Sequence, residues 1–171
     1  MRRLLLLRHA KAVPAEQAVA DIARPLAERG ERDVRRIAER LRHQSPPQLI
    51  LASPSARTLR TAQLVATAFD LPQGSIAVDP RLYLAEPNIL LTVIAAQSAS
   101  IARLLVVGHN PGLTDLVHAL APAFAVDDLP TGAIVALDYP ATVDWPGLGQ
   151  ATARLAYYDF PKNPDAPVTP R

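Results

Sequence analysis

Two arginines and two histidines in this chain follow directly or closely after short apolar runs. These residues are Arg8, His9, Arg57 and His109. Two guanidinium groups and two imidazoles are costly to bring together unless an anion lies among them. The planar fork of arginine suits phosphate oxygens, and a neutral imidazole can attack phosphorus and hold the phosphoryl group covalently. The four residues therefore predict a phosphate site with a nucleophilic histidine.

The apolar runs before these residues have the length and composition of buried strands. Strands are predicted at residues 4–7, 49–52, 76–78, 104–107, 133–137 and 153–157. Amphipathic helices are predicted between them, with apolar stripes at Val34, Ile37, Ala38 and Leu41; at Leu59, Ala62, Ala66 and Phe69; at Ile89, Leu90, Val93 and Ile94; and over residues 112–120. Alternating short strands and helices indicate an α/β fold with a mainly parallel sheet that helices cover on both faces.

In such a sheet, ligands bind beyond the carboxyl ends of the strands. Three predicted strands end just before the arginines and histidines, so we expect all four side chains to meet at one edge of the sheet. Helix N-termini at Ser55 and Gly112 are expected to add backbone donors there. These residues imply no metal or other cofactor, and the adjacent pair Asp127 and Asp128 is expected to start a turn.

Composition limits the class of protein. The 171 residues carry a formal net charge of +2, with no cysteine and no long apolar segment. We therefore expect neither a nucleic-acid partner nor a membrane span. The apolar run after Met1 is only four residues long and is followed by Arg8 and His9, which is too short for a secretory signal. A cytoplasmic protein is therefore the default expectation. We predict a single domain over residues 1–160 and a proline-rich tail, extended or disordered, over 161–171.

Four segments resemble the histidine phosphatase superfamily, which also contains the cofactor-dependent phosphoglycerate mutases. The segments are LLLLRHAKA, DIARPLAERG, SPSARTLRTA and VVGHNPGL, which occur in the family's order over about the first 120 residues. RHAK in place of the mutases' usual RHG makes the chain more similar to the SixA-type phosphohistidine phosphatases.

This resemblance implies a phosphoglycerate mutase-like α/β/α sandwich in which His9 is the nucleophile that becomes phosphorylated. It implies that Arg8 and Arg57 bind phosphoryl oxygens and that His109 hydrogen-bonds the phosphoryl group in the transition state. Arg24, with Asp21, matches a segment near the pocket rim, and Asp21 is expected to be structural. The substrate implied for this branch is phosphohistidine on a protein, such as the phosphotransfer domain of a sensor kinase in signal transduction.

Three assignments stay open at this stage. Glu86 is the best-placed candidate for a general acid, although capping or surface exposure explains it equally well. An imidazole leaving group needs less protonation than an alkoxide does, so a phosphohistidine phosphatase can lack such an acid. Lys11 either guides an acidic or phosphorylated partner or is a solvated loop residue, and Asn110 is a candidate substrate-binding residue.

Three functions are consistent with the sequence. The first is a metal-independent phosphatase that acts through a phosphohistidine intermediate on a phosphohistidine protein. The second is a small-molecule phosphomonoesterase, or a mutase, with the same pocket. The third is a non-catalytic phosphate-binding domain.

Overall fold

Six strands form the central sheet of this protein, which is known here from a computed structural model that describes residues 1–18 and 20–164. The strands are β1 (Arg2–Arg8), β2 (Leu49–Ala52), β3 (Ile76–Val78), β4 (Arg103–Gly108), β5 (Ile134–Tyr139) and β6 (Arg154–Asp159). The predicted bounds of β2 and β3 are confirmed, and each of the other predicted strands overlaps an observed one.

The sheet has the strand order β3-β2-β4-β1-β5-β6. The first three neighbouring pairs are parallel, whereas β5 runs antiparallel to both β1 and β6. The mainly parallel sheet is thus confirmed, with two antiparallel pairings at one side. Because β1 and β4 are adjacent and in the centre, their carboxyl ends lie side by side: Arg8 is in register with Gly108.

Alternation along β1 shows why four consecutive leucines are needed. Leu4 and Leu6 pack into the apolar core on one face of the sheet, and Leu5 and Leu7 pack into the core on the other face. All four are at most 3% exposed. A strand that is covered on both faces must be apolar at every position, and burial of each leucine contributes about 1.5–3 kcal/mol to folding.

Four helices cover the sheet: α1 (Glu28–Leu41), α2 (Ala56–Ala68), α3 (Pro87–Ala95) and α4 (Gly112–Leu120). Helices α1 and α2 pack on one face, and α3 and α4 pack on the other. The predicted three-layer α/β/α sandwich is therefore confirmed. The predicted bounds of α4 are also confirmed.

The apolar stripe predicted for α2 packs against the core, but its four residues are buried to different depths. Ala62 is fully buried, but Leu59, Ala66 and Phe69 are only half-buried. The face of α2 that points inward also carries polar residues, namely Arg57, Thr58 and Thr61. Because these polar residues are buried, the spacing of apolar residues alone does not identify the whole buried face of α2. On α3, Ile89 was likewise expected to be buried and is 38% exposed.

The segment after β1 folds back on the segment that precedes α1. Ala12 and Leu26 form an antiparallel bridge, and the amide of Ala27 donates to the carbonyl of Lys11 at 2.9 Å. Gly30 permits this approach, since a Cβ there would lie 2.1 Å from the Lys11 carbonyl oxygen. The loop that follows His9 is therefore clamped against the first turn of α1.

The predicted tail is described only at its start. Pro161 is buried, and residues 165–171 lie outside the described residues. No helix within residues 1–18 and 20–164 combines the length and apolar character that a membrane crossing requires.

Candidate active site

Two histidines face each other at the carboxyl edge of the sheet. His9 follows β1 and His109 follows β4, and their ring centroids are 5.4 Å apart with the rings inclined at 61°. The amide of His9 donates to the carbonyl of Gly108 at 3.1 Å, which extends the pairing of the two strands by one step. The separation of the two imidazoles is thus set by the spacing of neighbouring strands.

Arg57 lies between the histidines because of the way in which α2 begins. Ser55 caps the helix by accepting from the amide of Thr58, so Arg57 occupies the first turn with its side chain only 2% exposed. Its Nε donates to Nε2 of His9 at 3.3 Å, and its Nη2 donates to Nδ1 of His109 at 3.4 Å. One guanidinium group therefore bridges the two imidazoles.

The hydrogen bonds of His9 define which of its nitrogens can react. Nδ1 lies 2.8 Å from the carbonyl oxygen of Ala10, which can only accept, so Nδ1 carries the proton. Nε2 is then unprotonated, and its lone pair accepts the hydrogen bond from Nε of Arg57. Burial, followed by the nearby charges of Arg57, Arg8 and Arg24, lowers the pKa of His9 to about 4, although its hydrogen bond to Ala10 opposes this shift. His9 is therefore neutral at pH 7, as a nucleophile must be.

His109 is also neutral in the free protein. Burial and the charges of His9, Arg57 and Arg8 lower its pKa to about 3, with Asp21 acting in the opposite direction. Since Arg57 donates to Nδ1, the ring proton lies on Nε2 and is donated to Oγ of Ser53 at 2.7 Å. A phosphoryl dianion in the cavity would add negative charge beside this ring and favour a second proton on Nδ1, which could then be donated to a phosphoryl oxygen.

Asp21 holds the other side of the Arg57 guanidinium. Its carboxylate accepts from Nη2 at 2.9 Å and its carbonyl accepts from Nη1 at 2.7 Å. The same carboxylate accepts from the hydroxyl of Tyr83 at 2.6 Å and lies 3.3 Å from Nη2 of Arg24. These donors lower the pKa of Asp21, the hydrogen bond from Tyr83 being the largest cause. This arrangement fits the expected structural role of Asp21.

Arg8 is oriented by the loop that precedes β5. Its Nη1 donates to the carbonyl of Leu129 and lies 3.2 Å from the carboxylate of Asp128. Asp128 also accepts from Nδ2 of Asn110 at 2.6 Å. Burial lowers the pKa of Arg8 and outweighs the opposing effect of Asp128, but the group remains a cation at pH 7. The adjacent acids at 127 and 128 lie in a bend, as expected, and the second of them also serves the site.

These side chains surround a cavity of about 380 Å³. Three polar atoms of its lining are buried without a hydrogen-bond partner among the described residues: Nε of Arg8, Nε of Arg24 and Oδ1 of Asn110. Unpartnered buried donors on two arginines are unfavourable unless a ligand accepts from them. The cavity therefore has the donors and the charge expected of a phosphate site.

The structure brings together most of the residues that the sequence suggested. The cavity lining includes Arg8, His9, Lys11, Arg24, Arg57, His109 and Asn110. Glu86, the candidate general acid, is exposed at the start of α3 and does not line the cavity. Ser55 and Gly112, where helix N-termini were expected to add backbone donors, do not line it either.

The sequence did not point to four further residues of the site. Asp128 contacts Arg8 directly, Tyr83 acts on Arg57 through Asp21, and Leu84 and Thr131 line the cavity. Leu84 has a φ of +50°, which a leucine rarely adopts, and its side chain is 54% exposed at the cavity. Nothing in the local sequence signals such a conformation. Within the described part of the chain, no group of three His, Asp or Glu side chains is arranged to hold a metal ion.

The geometry allows phosphoryl transfer to a histidine. A neutral imidazole with a free lone pair faces a cavity whose arginines can stabilise the equatorial oxygens of a phosphoryl group. Arg57 contacts both His9 and His109, so one guanidinium group lies beside each of the two histidines.

Comparisons with known proteins agree with this chemistry. Residues 4–83 match the model of the histidine phosphatase superfamily (branch 1). An uncharacterized protein of Mycobacterium tuberculosis is 34% identical over 122 residues, which are 71% of this chain and 73% of that protein. An uncharacterized chloroplastic protein of Arabidopsis thaliana is 30% identical over 131 residues, and the matched segment spans only 60% of its length.

Three solved structures are similar over most of the chain. A protein of Nakamurella multipartitia, named as a phosphohistidine phosphatase SixA, has a TM-score of 0.81 at 26% identity and covers 95% of this chain and 97% of its own. A protein of Agrobacterium tumefaciens with the same designation has a TM-score of 0.70 at 32% identity, and the match covers 80% of this chain and 91% of that protein. The protein histidine phosphatase SixA in complex with tungstate has a TM-score of 0.77 at 25% identity, and the match covers 93% of this chain and 97% of that protein.

Proposed function

This chain belongs to the histidine phosphatase superfamily and is a phosphatase, and from that premise we propose that it dephosphorylates phosphohistidine on a protein. The observation that carries the proposal is His9: a buried, neutral imidazole whose unprotonated Nε2 faces a cavity lined by three arginines. Similarity to the structures designated SixA supports a phosphohistidine substrate.

The first step is attack of the Nε2 lone pair of His9 on phosphorus. A bond forms between Nε2 and phosphorus, and the bond from phosphorus to the substrate's imidazole nitrogen breaks, its electron pair leaving with the imidazole. Arg57 must release its hydrogen bond to Nε2 for this attack and can then donate to a phosphoryl oxygen. Arg8 and Arg24, each with an unpartnered Nε, supply further donors to the phosphoryl group.

The second step is hydrolysis of phosphorylated His9. Water attacks phosphorus, the bond between Nε2 and phosphorus breaks, and inorganic phosphate leaves while His9 regains its lone pair. A substrate imidazole that carries a proton on its other nitrogen departs as a neutral ring, so the first step needs no carboxylic acid. This fits a site in which Glu86 lies outside the cavity lining.

A substrate panel tests the proposal. Purified protein in EDTA is offered a histidine-phosphorylated phosphotransfer domain, free phosphohistidine, sugar phosphates and nucleotides, and phosphate release is measured. We expect the highest kcat/KM for the phosphohistidine protein, no activity in His9→Ala and little change in Glu86→Gln. Preference for a sugar phosphate or nucleotide would instead establish a small-molecule phosphomonoesterase.

Trapping of the intermediate separates catalysis from simple phosphate binding. Rapid mixing with a substrate labelled in its phosphoryl group should place acid-labile label on His9, and His109→Ala should retain some of this label. Phosphate binding without turnover or labelling would show a non-catalytic domain. Full activity in His9→Ala would remove His9 as the nucleophile.

A further inference from the structure

A second recess adjoins the catalytic cavity. It has a volume of about 260 Å³ and shares Lys11 and Thr131 with the cavity. Its other walls come from the start of α1 and from the segment after β6, including Arg29, Phe160 and Lys162. We refer to this recess, between Lys11 and Lys162, as the lysine groove.

The only two lysines of the 171-residue chain both lie in this groove. Both are exposed, and neither forms a salt bridge or a side-chain hydrogen bond with a residue that the structure describes. The other cation of the groove, Arg29, lies 3.7 Å from the carboxylate of Asp33. Among the described residues, the groove therefore presents two ammonium groups without an ion-pair partner, beside one carboxylate, Asp33, that lies closest to Arg29.

Both lysines extend from fixed backbone. The carbonyl of Lys11 accepts from the amide of Ala27 and abuts Gly30. On the opposite wall, Pro161 is buried against Gly132, where a Cβ would lie 2.8 Å from the proline ring. The groove is thus a preformed surface with exposed charges at its rim, and its apolar walls include Phe160.

We propose that the lysine groove binds acidic side chains of the protein whose phosphohistidine enters the cavity. The inference rests on the proposed function, since it assigns the surroundings of the same phosphohistidine. A single phosphoryl group is met by the arginines of the cavity and leaves the groove unoccupied. Glutamate or aspartate residues near the phosphohistidine fit the groove, because their carboxylates can reach the ammonium groups while their methylene groups contact Phe160.

This contact predicts a specific kinetic pattern. Exposed charge pairs assist encounter and weak binding, and they act little on a chemical step several ångströms away. Both lysines should therefore lower KM for an acidic partner, and Lys162, which lies outside the cavity lining, should leave kcat unchanged. Salt should weaken the effect, because both ammonium groups are open to solvent.

Two matched peptides test the proposal with the full chain. One carries a central phosphohistidine flanked by glutamates, and the other has glutamines at those positions. Wild type at low salt should favour the acidic peptide by roughly three- to tenfold in kcat/KM. Lys162→Gln should reduce that preference and leave kcat/KM for free phosphohistidine unchanged, and Lys162→Arg should retain it. Lys11 also lines the catalytic cavity, so Lys11→Gln is judged only by the ratio of kcat/KM between the two peptides, which should likewise fall.

Arg42→Gln is the matched control, since it removes one exposed cation at the far end of α1. Equal kcat/KM for the two peptides in wild type would overturn the role of the groove without affecting the proposed function. A loss on free phosphohistidine in Lys162→Gln as large as the loss on the acidic peptide would do the same. A small bisphosphate is added to the substrates, and a Lys162-dependent preference for it that the acidic peptide does not show would assign the groove to a small molecule and would also overturn the proposal. Failure of wild type to hydrolyse any phosphohistidine substrate would overturn the proposed function and this inference together.

Discussion

Nε of Arg57 lies 3.3 Å from Nε2 of His9, so the nitrogen proposed to attack phosphorus accepts a hydrogen bond from a cation in the free protein. The same guanidinium contacts His109 and Asp21. Arg57 therefore keeps the lone pair of His9 directed into the cavity and is next to the phosphoryl group when that lone pair is used. Its planar fork makes contacts in three directions that an ammonium group could not reproduce together.

Arg57→Lys should therefore be severely impaired although charge is conserved. We expect kcat/KM to fall on the order of 10²–10³-fold, the usual effect of removing a donor that stabilises transition-state charge. Arg60→Lys is the control: Arg60 lies on the same helix but pairs with Glu31 at 2.7 Å, away from the cavity lining. Comparable losses in the two variants would mean that the helix, and not the contact with His9, is what the substitution disturbs.

Asp127 and Asp128 provide an internally matched pair. Both are exposed, but only Asp128 is within ion-pair distance of Arg8 and accepts from Asn110. Asp128→Ala should loosen both side chains and weaken the binding of inorganic phosphate about three- to tenfold. Asp127→Ala should bind phosphate as wild type does. Isothermal titration of the two variants makes the comparison, and tighter binding by Asp128→Ala would show that this carboxylate competes with the ligand for Arg8.

The two buried histidines predict a loss of stability in mild acid. Burial lowers the pKa of His9 to about 4 and that of His109 to about 3, from an ordinary value of 6.5. Below 6.5 the unfolded chain takes up protons that the folded protein excludes, so the free energy of unfolding falls until the folded pKa values are reached. The stability that depends on the neutral state of these two histidines is thus fully present above pH 6.5 and is lost between pH 6.5 and about 3.

Urea unfolding at about pH 7.5 and about pH 5 measures this decline, to which each buried histidine should contribute about 1–2 kcal/mol. His9→Gln should reduce the difference between the two pH values. An undiminished difference in His9→Gln would contradict the assignment to His9.

Gly30→Ala should destabilise the protein against the usual trend. In the interior of a helix, alanine normally stabilises by about 1 kcal/mol relative to glycine. At Gly30 the added Cβ would lie 2.1 Å from the carbonyl oxygen of Lys11, so backbone must move. We expect a net loss of about 1–3 kcal/mol in urea unfolding, together with reduced activity because the loop after His9 shifts. Gly149→Ala, whose Cβ would meet Leu91 at an ordinary 3.8 Å, should cause little change.

Much of the site could be predicted because it depends on the sheet. Four leucines specify a strand that is buried on both faces, and the end of that strand fixes where Arg8 and His9 lie. The same reasoning places His109 after β4. These positions follow from local patterns that leave few alternatives.

The rest of the site depends on contacts between segments that are distant in the chain. The pairing of Arg8 with Asp128 spans 120 residues and joins the strand end to a loop without periodicity. Tyr83 reaches Asp21 across 62 residues. The inner face of α2 is polar for two reasons: Arg57 enters the cavity, and the hydroxyls of Thr58 and Thr61 donate to the carbonyls of Ser53 and Arg57. Glu86 shows the converse, since its position in the sequence suggested a site residue and its place at the start of α3 leaves it exposed outside the cavity lining.

The register of β1 with β4 has a consequence for how this protein loses activity. His9 and His109 extend from the two central strands, one residue beyond the pairing of Arg8 with Gly108. Fraying of loops or edge strands cannot separate them, because only opening of the middle of the sheet would do so. Amide hydrogens of these two strands should therefore exchange with deuterium only through global unfolding, and heat inactivation should coincide with melting of the whole domain.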